Sequence, residues 1–201
     1  MFRVIAVLIG LGFLAACATD TNPYDDPQSD LGAFRLGHNV VVASKAKKGP
    51  ISRDATPEEW QAALKPALAR RFGQYQGNQL YHFGISVEGY MLAPEGVPLV
   101  YKPKSALILN VTVWDDAANA KLNDEVHQIT VFESTTGGSF LVGSGNIRSK
   151  EEQMAGLADN AVREIEAWMV QQKQENGWFL PRPGAATDAV VAQDPGQSAA
   201  D

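Results

Sequence analysis

Two stretches of alternating polar and apolar residues limit what this chain can fold into. In residues 81–91 and 107–114, large apolar side chains recur at every second position. Successive side chains of a β-strand point to opposite faces, so each stretch predicts a strand with one face buried. A half-buried strand needs a covering layer, and two amphipathic helices in the same chain can supply it.

The two helices are predicted from their first residues and from their apolar spacing. Residues 56–59 (Thr-Pro-Glu-Glu) and 149–152 (Ser-Lys-Glu-Glu) both read as capping boxes. Asn176-Gly177 predicts the end of the second helix, with residues 178–180 folding back on it. Apolar residues follow at helical spacing, namely Trp60, Leu64, Leu68 and Phe72 in the first helix and Met154, Leu157, Ala158, Ala161, Val162, Ile165 and Trp168 in the second.

Shorter apolar stretches at residues 39–44, 126–132 and 140–145 predict three further strands. The resulting element order is β-α-β-β-β-β-α. Its first unit favours a right-handed crossover between parallel strands, and the short loops that follow favour an antiparallel meander. We therefore expect an α+β fold, a two-layer sandwich in which two helices cover a mostly antiparallel sheet.

The N-terminus has the features of a bacterial export signal. A single positive charge, Arg3, precedes an apolar run at residues 4–13, which is shorter than the roughly 20 residues that span a bilayer. Residues 14–17 read Leu-Ala-Ala-Cys and resemble the lipobox of bacterial lipoproteins. The resemblance implies that a lipid, palmitate among its acyl chains, is attached to Cys17. Ala18 in place of Asp then implies the outer membrane, with the protein facing the periplasm.

Composition divides the chain into four predicted parts. The segment after the lipobox is rich in Asp, Pro, Asn and Thr, and the C-terminal segment is rich in Pro, Gly, Ala and Asp, so neither can bury much surface. The parts are a signal peptide at 1–16, the lipidated cysteine with a flexible tether at 17–33, one globular domain at 34–181 and a disordered tail at 182–201.

Charge and residue types exclude several functions. The chain has 17 basic and 23 acidic residues, a net charge of −6, and so no general affinity for nucleic acid. Cys17 is its only cysteine, which leaves no thiol for catalysis or zinc binding once it is lipidated. The histidines, His38, His82 and His127, fall in separate predicted elements. We therefore expect no catalytic set, no metal and no cofactor.

Two alternatives remain open beside a non-catalytic role. Asp115, Asp116 and His127 are the only cluster that would serve an envelope hydrolase. A small lipid or other hydrophobic ligand bound between the helices and the sheet is the second alternative.

A long apolar loop at residues 92–104 is the first candidate surface. It exceeds the usual two to five residues of a hairpin loop, and three prolines stiffen it, which lowers the entropy lost on binding. Leu99, Val100 and Tyr101 are its candidate partner-binding residues. The alternative is a loop that folds over the edge of its own sheet.

A basic cluster in an acidic protein is the second candidate surface. Lys45, Lys47, Lys48 and Arg53 lie in the predicted connection between the first strand and the first helix, with residues 70–71 (Arg-Arg) as further candidates. Such a cluster fits anionic lipid headgroups or a polyanionic cell-wall component, each charge contributing on the order of 1 kcal/mol near a membrane. The alternative is a solvated loop.

The domain resembles the small accessory lipoproteins of outer-membrane assembly and secretion machines. The likeness rests on the lipobox, the polar tether, the order of elements, the Gly-Ser-Gly run at residues 143–145 and the apolar stretch at residues 161–168. It implies a non-catalytic accessory component that is anchored to the membrane and binds an envelope protein.

Overall fold

The structure is a computed structural model that describes residues 27–94, 104–134 and 148–183. Cys17, the loop residues Leu99, Val100 and Tyr101, the predicted strand at 140–145 and residues 184–201 of the predicted tail lie outside the described residues. The described elements are β1 (Phe34–Val42), β2 (Lys47–Lys48), α1 (Pro57–Phe72), β3 (Gln79–Met91), β4 (Ala106–Asp115), β5 (Ala120–Lys121), β6 (His127–Phe132) and α2 (Lys150–Asn176).

These elements form a mixed sheet with two helices, so the α+β prediction is confirmed. The long strands lie in the order β1-β3-β4-β6. β1 pairs in parallel with β3, as expected for a strand-helix-strand crossover, and β4 is antiparallel to both β3 and β6. β2 and β5 were not predicted, because two residues are too few to show a side-chain pattern.

The helix predictions are confirmed at both caps. The hydroxyl of Thr56 accepts a hydrogen bond from the backbone N–H of Glu59 (3.2 Å), whose carboxylate accepts one from the Thr56 N–H (2.8 Å). Ser149 and Glu152 form the same pair. α2 ends at Gly177, which adopts the left-handed conformation (φ 67°) that favours glycine.

The first strand starts five residues earlier than predicted. A bulge places two residues, Gly37 and His38, opposite the single residue His82 of β3. The extra residue shifts the alternation by one position and hides the start of the strand from a pattern search. Residues 34–36 therefore belong to β1.

The core lies between the helices and one face of the sheet. Phe34 is fully buried and has its ring within 6.1 Å of five other aromatic rings, from β3, α1 and the segments that follow each helix. Trp60, Leu64 and Phe72 of α1 and Ile165 of α2 are also fully buried. Side chains thus occupy the space between the layers in which a hydrophobic ligand was considered.

The packed part of the chain begins before residue 34, the predicted domain boundary. Leu31 is 1% exposed and belongs to the core, and the backbone N–H of Ala33 donates to the carbonyl of Phe179 (2.9 Å). A single apolar side chain in a polar segment gives too weak a signal to predict this contact. In the part of the chain that the structure describes, no helix is both long and apolar enough to cross a bilayer.

Candidate functional site

Three of the predicted basic residues line one groove on the sheet. Lys45, Lys47 and Lys48 are exposed in the connection between β1 and α1, and the last two form β2, which pairs with Gly89 and Tyr90 of β3. The groove has a volume of about 620 Å³, within the range of small binding clefts. We call it the lysine groove; its lining is Lys45, Lys47, Lys48, Gly49, Glu88, Gly89, Tyr90, Met91, Ala106, Ile108 and Gln128.

A second bulge lies in the part of β3 that lines the groove. Glu88 is an extra residue in β3, lying between the pairs that Val87 and Gly89 make with β4. A bulge bends its strand and strengthens the local twist. The bulge in β3 therefore shapes the floor of the lysine groove.

The charges of the groove are unequal. The Lys48 ammonium lies 2.5 Å from a carboxylate oxygen of Asp54, and this hydrogen bond raises the pKa of Lys48 and lowers that of Asp54. Lys45 and Lys47 make no side-chain hydrogen bond or ion pair within the described residues. Glu88 adds a negative charge to the lining. Two lysines therefore remain available to an anionic group.

Arg53 is placed apart from these lysines. Its guanidinium donates to the backbone carbonyl of Arg148 (3.1 Å), which joins the loop before α1 to the start of α2. Arg70 and Arg71 lie at the C-terminal end of α1, where Arg70 pairs with Asp159 and Arg71 is buried. The fold therefore gathers Lys45, Lys47 and Lys48 at one groove, whereas Arg53 and the further candidates Arg70 and Arg71 contact other helices or loops.

The groove continues into the face of the sheet that the helices do not cover. Val42 is in register with Gln128 through β3 and β4, and Met91 is in register with Phe132 through β4, so all four share one face. Val42 is 45% exposed and Phe132 is 61% exposed. Ile108 is half-buried on the groove floor. Three apolar side chains, Val42, Ile108 and Phe132, therefore lie on the same face as the groove, separated by polar residues such as Asn110 and Gln128.

The predicted hydrolase cluster is not assembled. Asp115 accepts hydrogen bonds from the backbone of Ala118 (3.0 Å) and from the guanidinium of Arg182. The ring of His127 stacks on Trp168 with 4.2 Å between centroids. His127 also pairs with Val111, four residues before Asp115, which corresponds to roughly 13 Å along the strand.

Asp116 has a different histidine as its partner. A carboxylate oxygen of Asp116 lies 2.9 Å from Nε2 of His82. Nδ1 of His82 accepts a hydrogen bond from the backbone N–H of His38 (2.8 Å), so the neutral ring carries its proton on Nε2 and donates it to Asp116. This contact arises because the pairing of β3 with β4 places His82 opposite Trp114, two residues before Asp116, and no local pattern in the sequence predicts that register. Both ring nitrogens are engaged, so His82 has no lone pair left for a substrate or a metal. Within the described ranges, no group of three or more potential ligands is placed to hold a metal ion.

Comparison with known proteins gives distant structural likenesses. No protein-family model and no curated protein matches the sequence. Protein XCC0632 from Xanthomonas campestris, described as DUF330, superimposes with a TM-score of 0.41 at 13% identity, covering 75% of this chain and 90% of that one. A minor lipoprotein from Acinetobacter baumannii gives a TM-score of 0.29 at 19% identity, covering 69% of this chain and 95% of that one. The PelC dodecamer from Paraburkholderia phytofirmans gives a TM-score of 0.29 at 10% identity, covering 67% of this chain and 92% of that one. Likenesses with TM-scores below 0.5 do not determine function.

Proposed function

We propose that this protein is a lipid-anchored outer-membrane lipoprotein that binds another envelope protein and catalyses no reaction. Cys17 carries the lipid, and the domain faces the periplasm. The observation that supports binding is the lysine groove together with the exposed apolar side chains on the same face of the sheet. Apolar side chains mixed with charged ones are common at protein-binding surfaces, which as a whole are about as apolar as the rest of a protein surface.

The charges of the groove favour a partner with an acidic docking surface. Lys45 and Lys47 are exposed and have no carboxylate partner within the described residues. Acidic side chains of a partner would pair with them, and apolar side chains of the same partner would cover Val42, Ile108 and Phe132. Complementary charges of this kind set the orientation and the rate of association more than the affinity.

The absence of catalysis is part of the proposal, and two placements support it. Asp115, Asp116 and His127 each have a separate partner, and the imidazole of His82 is engaged at both nitrogens. A hydrophobic ligand between the helices and the sheet has less support, because Trp60, Leu64 and Ile165 fill that space.

The proposal is tested by site-specific photo-crosslinking in cells. A photo-crosslinking amino acid replaces Val42, beside the groove, and in a control strain it replaces Gln174, which is exposed on α2. We expect one dominant protein adduct from position 42 and none of that size from position 174. Lys45→Glu together with Lys47→Glu should lower the adduct by at least about tenfold, since like charges then face each other.

The matched control reverses two exposed lysines elsewhere, Lys65→Glu with Lys121→Glu, and so changes the net charge equally. Equal loss in both double variants, or no loss in either, would contradict the groove as the docking surface. Leu99, Val100 and Tyr101 form a second contact in this proposal, and replacing all three by serine in the same assay measures their share.

A further inference from the structure

A buried polar cluster joins the two helices. The guanidinium of Arg71 in α1 lies 2.7 Å from a carboxylate oxygen of Glu166 in α2, and their side chains are 3% and 5% exposed. The hydroxyl of Tyr75 donates to the same carboxylate. Burial and this hydrogen bond raise the pKa of Tyr75 far above its ordinary range, so the phenol stays protonated and remains a donor. We call Arg71, Tyr75 and Glu166 the clamp.

The clamp also holds the segment that leads to the lipid. Arg71 donates to the backbone carbonyl of Pro27 (3.2 Å), and the carboxylate of Glu166 accepts a hydrogen bond from the backbone N–H of Ser29 (3.4 Å). Further along the segment, Asp30 pairs with Lys173 (2.7 Å) and Leu31 enters the core. The chain is therefore fixed to the domain from Pro27 onward.

This attachment lies at the opposite end of the domain from the lysine groove. The backbone N–H of Gln79, the first residue of β3, donates to the carbonyl of Ala33. β3 then runs to Tyr90, which pairs with Lys48 in the groove. Tyr90 is eleven positions beyond Gln79 in the extended strand, or roughly 36 Å at about 3.3 Å per residue.

The chain between the lipid and the clamp is short. Ten residues, 17–26, precede Pro27. Ten residues span at most about 35 Å when fully extended. The clamped end of the domain is therefore confined near the membrane, while the groove lies about 36 Å farther along the molecule.

We infer that the clamp directs the lysine groove away from the anchoring membrane, so that the groove meets an acidic partner protein rather than the headgroups of that membrane. This inference rests on the proposed lipid at Cys17. It replaces the lipid-headgroup role considered for Lys45, Lys47 and Lys48 with a role at a distance from the bilayer.

Fluorescence resonance energy transfer from a dye on the protein to a dye on the lipid headgroups tests the orientation of the domain. Lipidation consumes the only cysteine, so Gln76→Cys near the clamp and Ser44→Cys near the groove each provide a single labelling site on an exposed residue. The lipidated proteins are placed in vesicles of phosphatidylethanolamine and phosphatidylglycerol that carry an acceptor dye on the headgroups. We expect transfer from position 76 to exceed transfer from position 44 severalfold. Equal transfer, or more from position 44, would overturn the inference.

Removing the polar groups of the clamp tests whether the clamp contributes to the orientation of the domain. The variant Arg71→Met/Tyr75→Phe/Glu166→Leu keeps the apolar volume but loses the contacts to Pro27 and Ser29. We expect the difference between the two probes to shrink in part, because Asp30 and Leu31 still hold the segment, with the circular dichroism spectrum unchanged. The control Arg70→Met/Asp159→Leu removes a more exposed ion pair between the same helices and should preserve the difference. A difference as large as that of the parent protein would show that the clamp does not contribute to the orientation.

The two proposals fail in different ways. A protein that does not bind vesicles has no lipid at Cys17, which would defeat the proposed function itself. A vesicle-bound protein with equal transfer from both positions would defeat the orientation alone, and the crosslinking result would stand.

Discussion

At the scale of single residues, close backbone contacts make glycine necessary at a few positions. Gly77 lies where the chain leaves α1 and passes the start of β1, and its N–H donates to the carbonyl of Phe34 (3.0 Å). A Cβ at this position would overlap the backbone of Ala33 and Phe34. Backbone atoms cannot move aside as a side-chain tip can, so the contact depends on the missing side chain.

We predict that Gly77→Ala destabilises the domain by about 1–3 kcal/mol, the usual cost of overpacking. Gly84→Ala is the matched control, because its Cβ would meet only the Thr112 Cβ at 3.9 Å, an ordinary contact. Urea unfolding of both variants measures the difference. Equal stability of the two variants would show that the approach at Gly77 can relax without cost.

At the scale of elements, the contact between β6 and α2 depends on a stacked ring pair. His127 of β6 lies over Trp168 of α2 with 3° between the ring planes. Asn160 of α2 also donates to the carbonyl of Phe132 (2.7 Å). Burial lowers the pKa of His127 below its ordinary value of 6.5. The packing of these two elements therefore favours the neutral imidazole.

We predict that the domain loses stability as the pH falls through 6.5, the ordinary pKa of histidine. The unfolded chain binds a proton at His127 first, since its pKa there is higher than in the fold, so protonation favours unfolding. The loss levels off once the folded form is protonated too. Urea unfolding at about pH 7.5 and about pH 5.5 measures it. The variant His127→Phe should show a smaller difference in unfolding free energy between the two pH values. An unchanged difference would assign the effect to other groups.

At the scale of the whole molecule, the clamp joins parts that are distant in sequence. Arg71, Tyr75 and Glu166 connect both helices with the N-terminal segment. Their charges are buried, so removing one partner leaves the other without compensation. The same contacts fix one end of the domain to the tether and leave the lysine groove at the other end.

We predict that Arg71→Met alone costs about 3–5 kcal/mol of stability, because the charge of the buried Glu166 carboxylate would have lost its positive partner. The triple variant of the clamp should recover most of that loss, since it removes both charges and keeps apolar volume. Urea unfolding of the two variants beside the parent protein tests this. A triple variant as unstable as the single one would show that the cluster stabilises the fold through more than its pairing.

The sequence by itself determined the elements. Alternation in residues 81–91 and 107–114, the two capping boxes and the Asn176-Gly177 stop predicted β3, β4, α1 and the end of α2. These signals are local, because buried side chains recur every second residue in a strand and about every 3.6 residues in a helix. The Leu-Ala-Ala-Cys run at residues 14–17, which resembles a lipobox, is a local signal in the same way.

Only the tertiary structure decided which elements meet and in what register. The lysines were visible in the sequence, but the floor formed by Ala106 and Ile108 depends on strand pairing and on the bulge at Glu88. Asp116 meets His82 instead of His127 because β3 pairs with β4 in the register that sets His82 opposite Trp114. The clamp pairs Arg71 with Glu166, 95 residues away. No local period encodes such contacts, because they arise only when the layers pack.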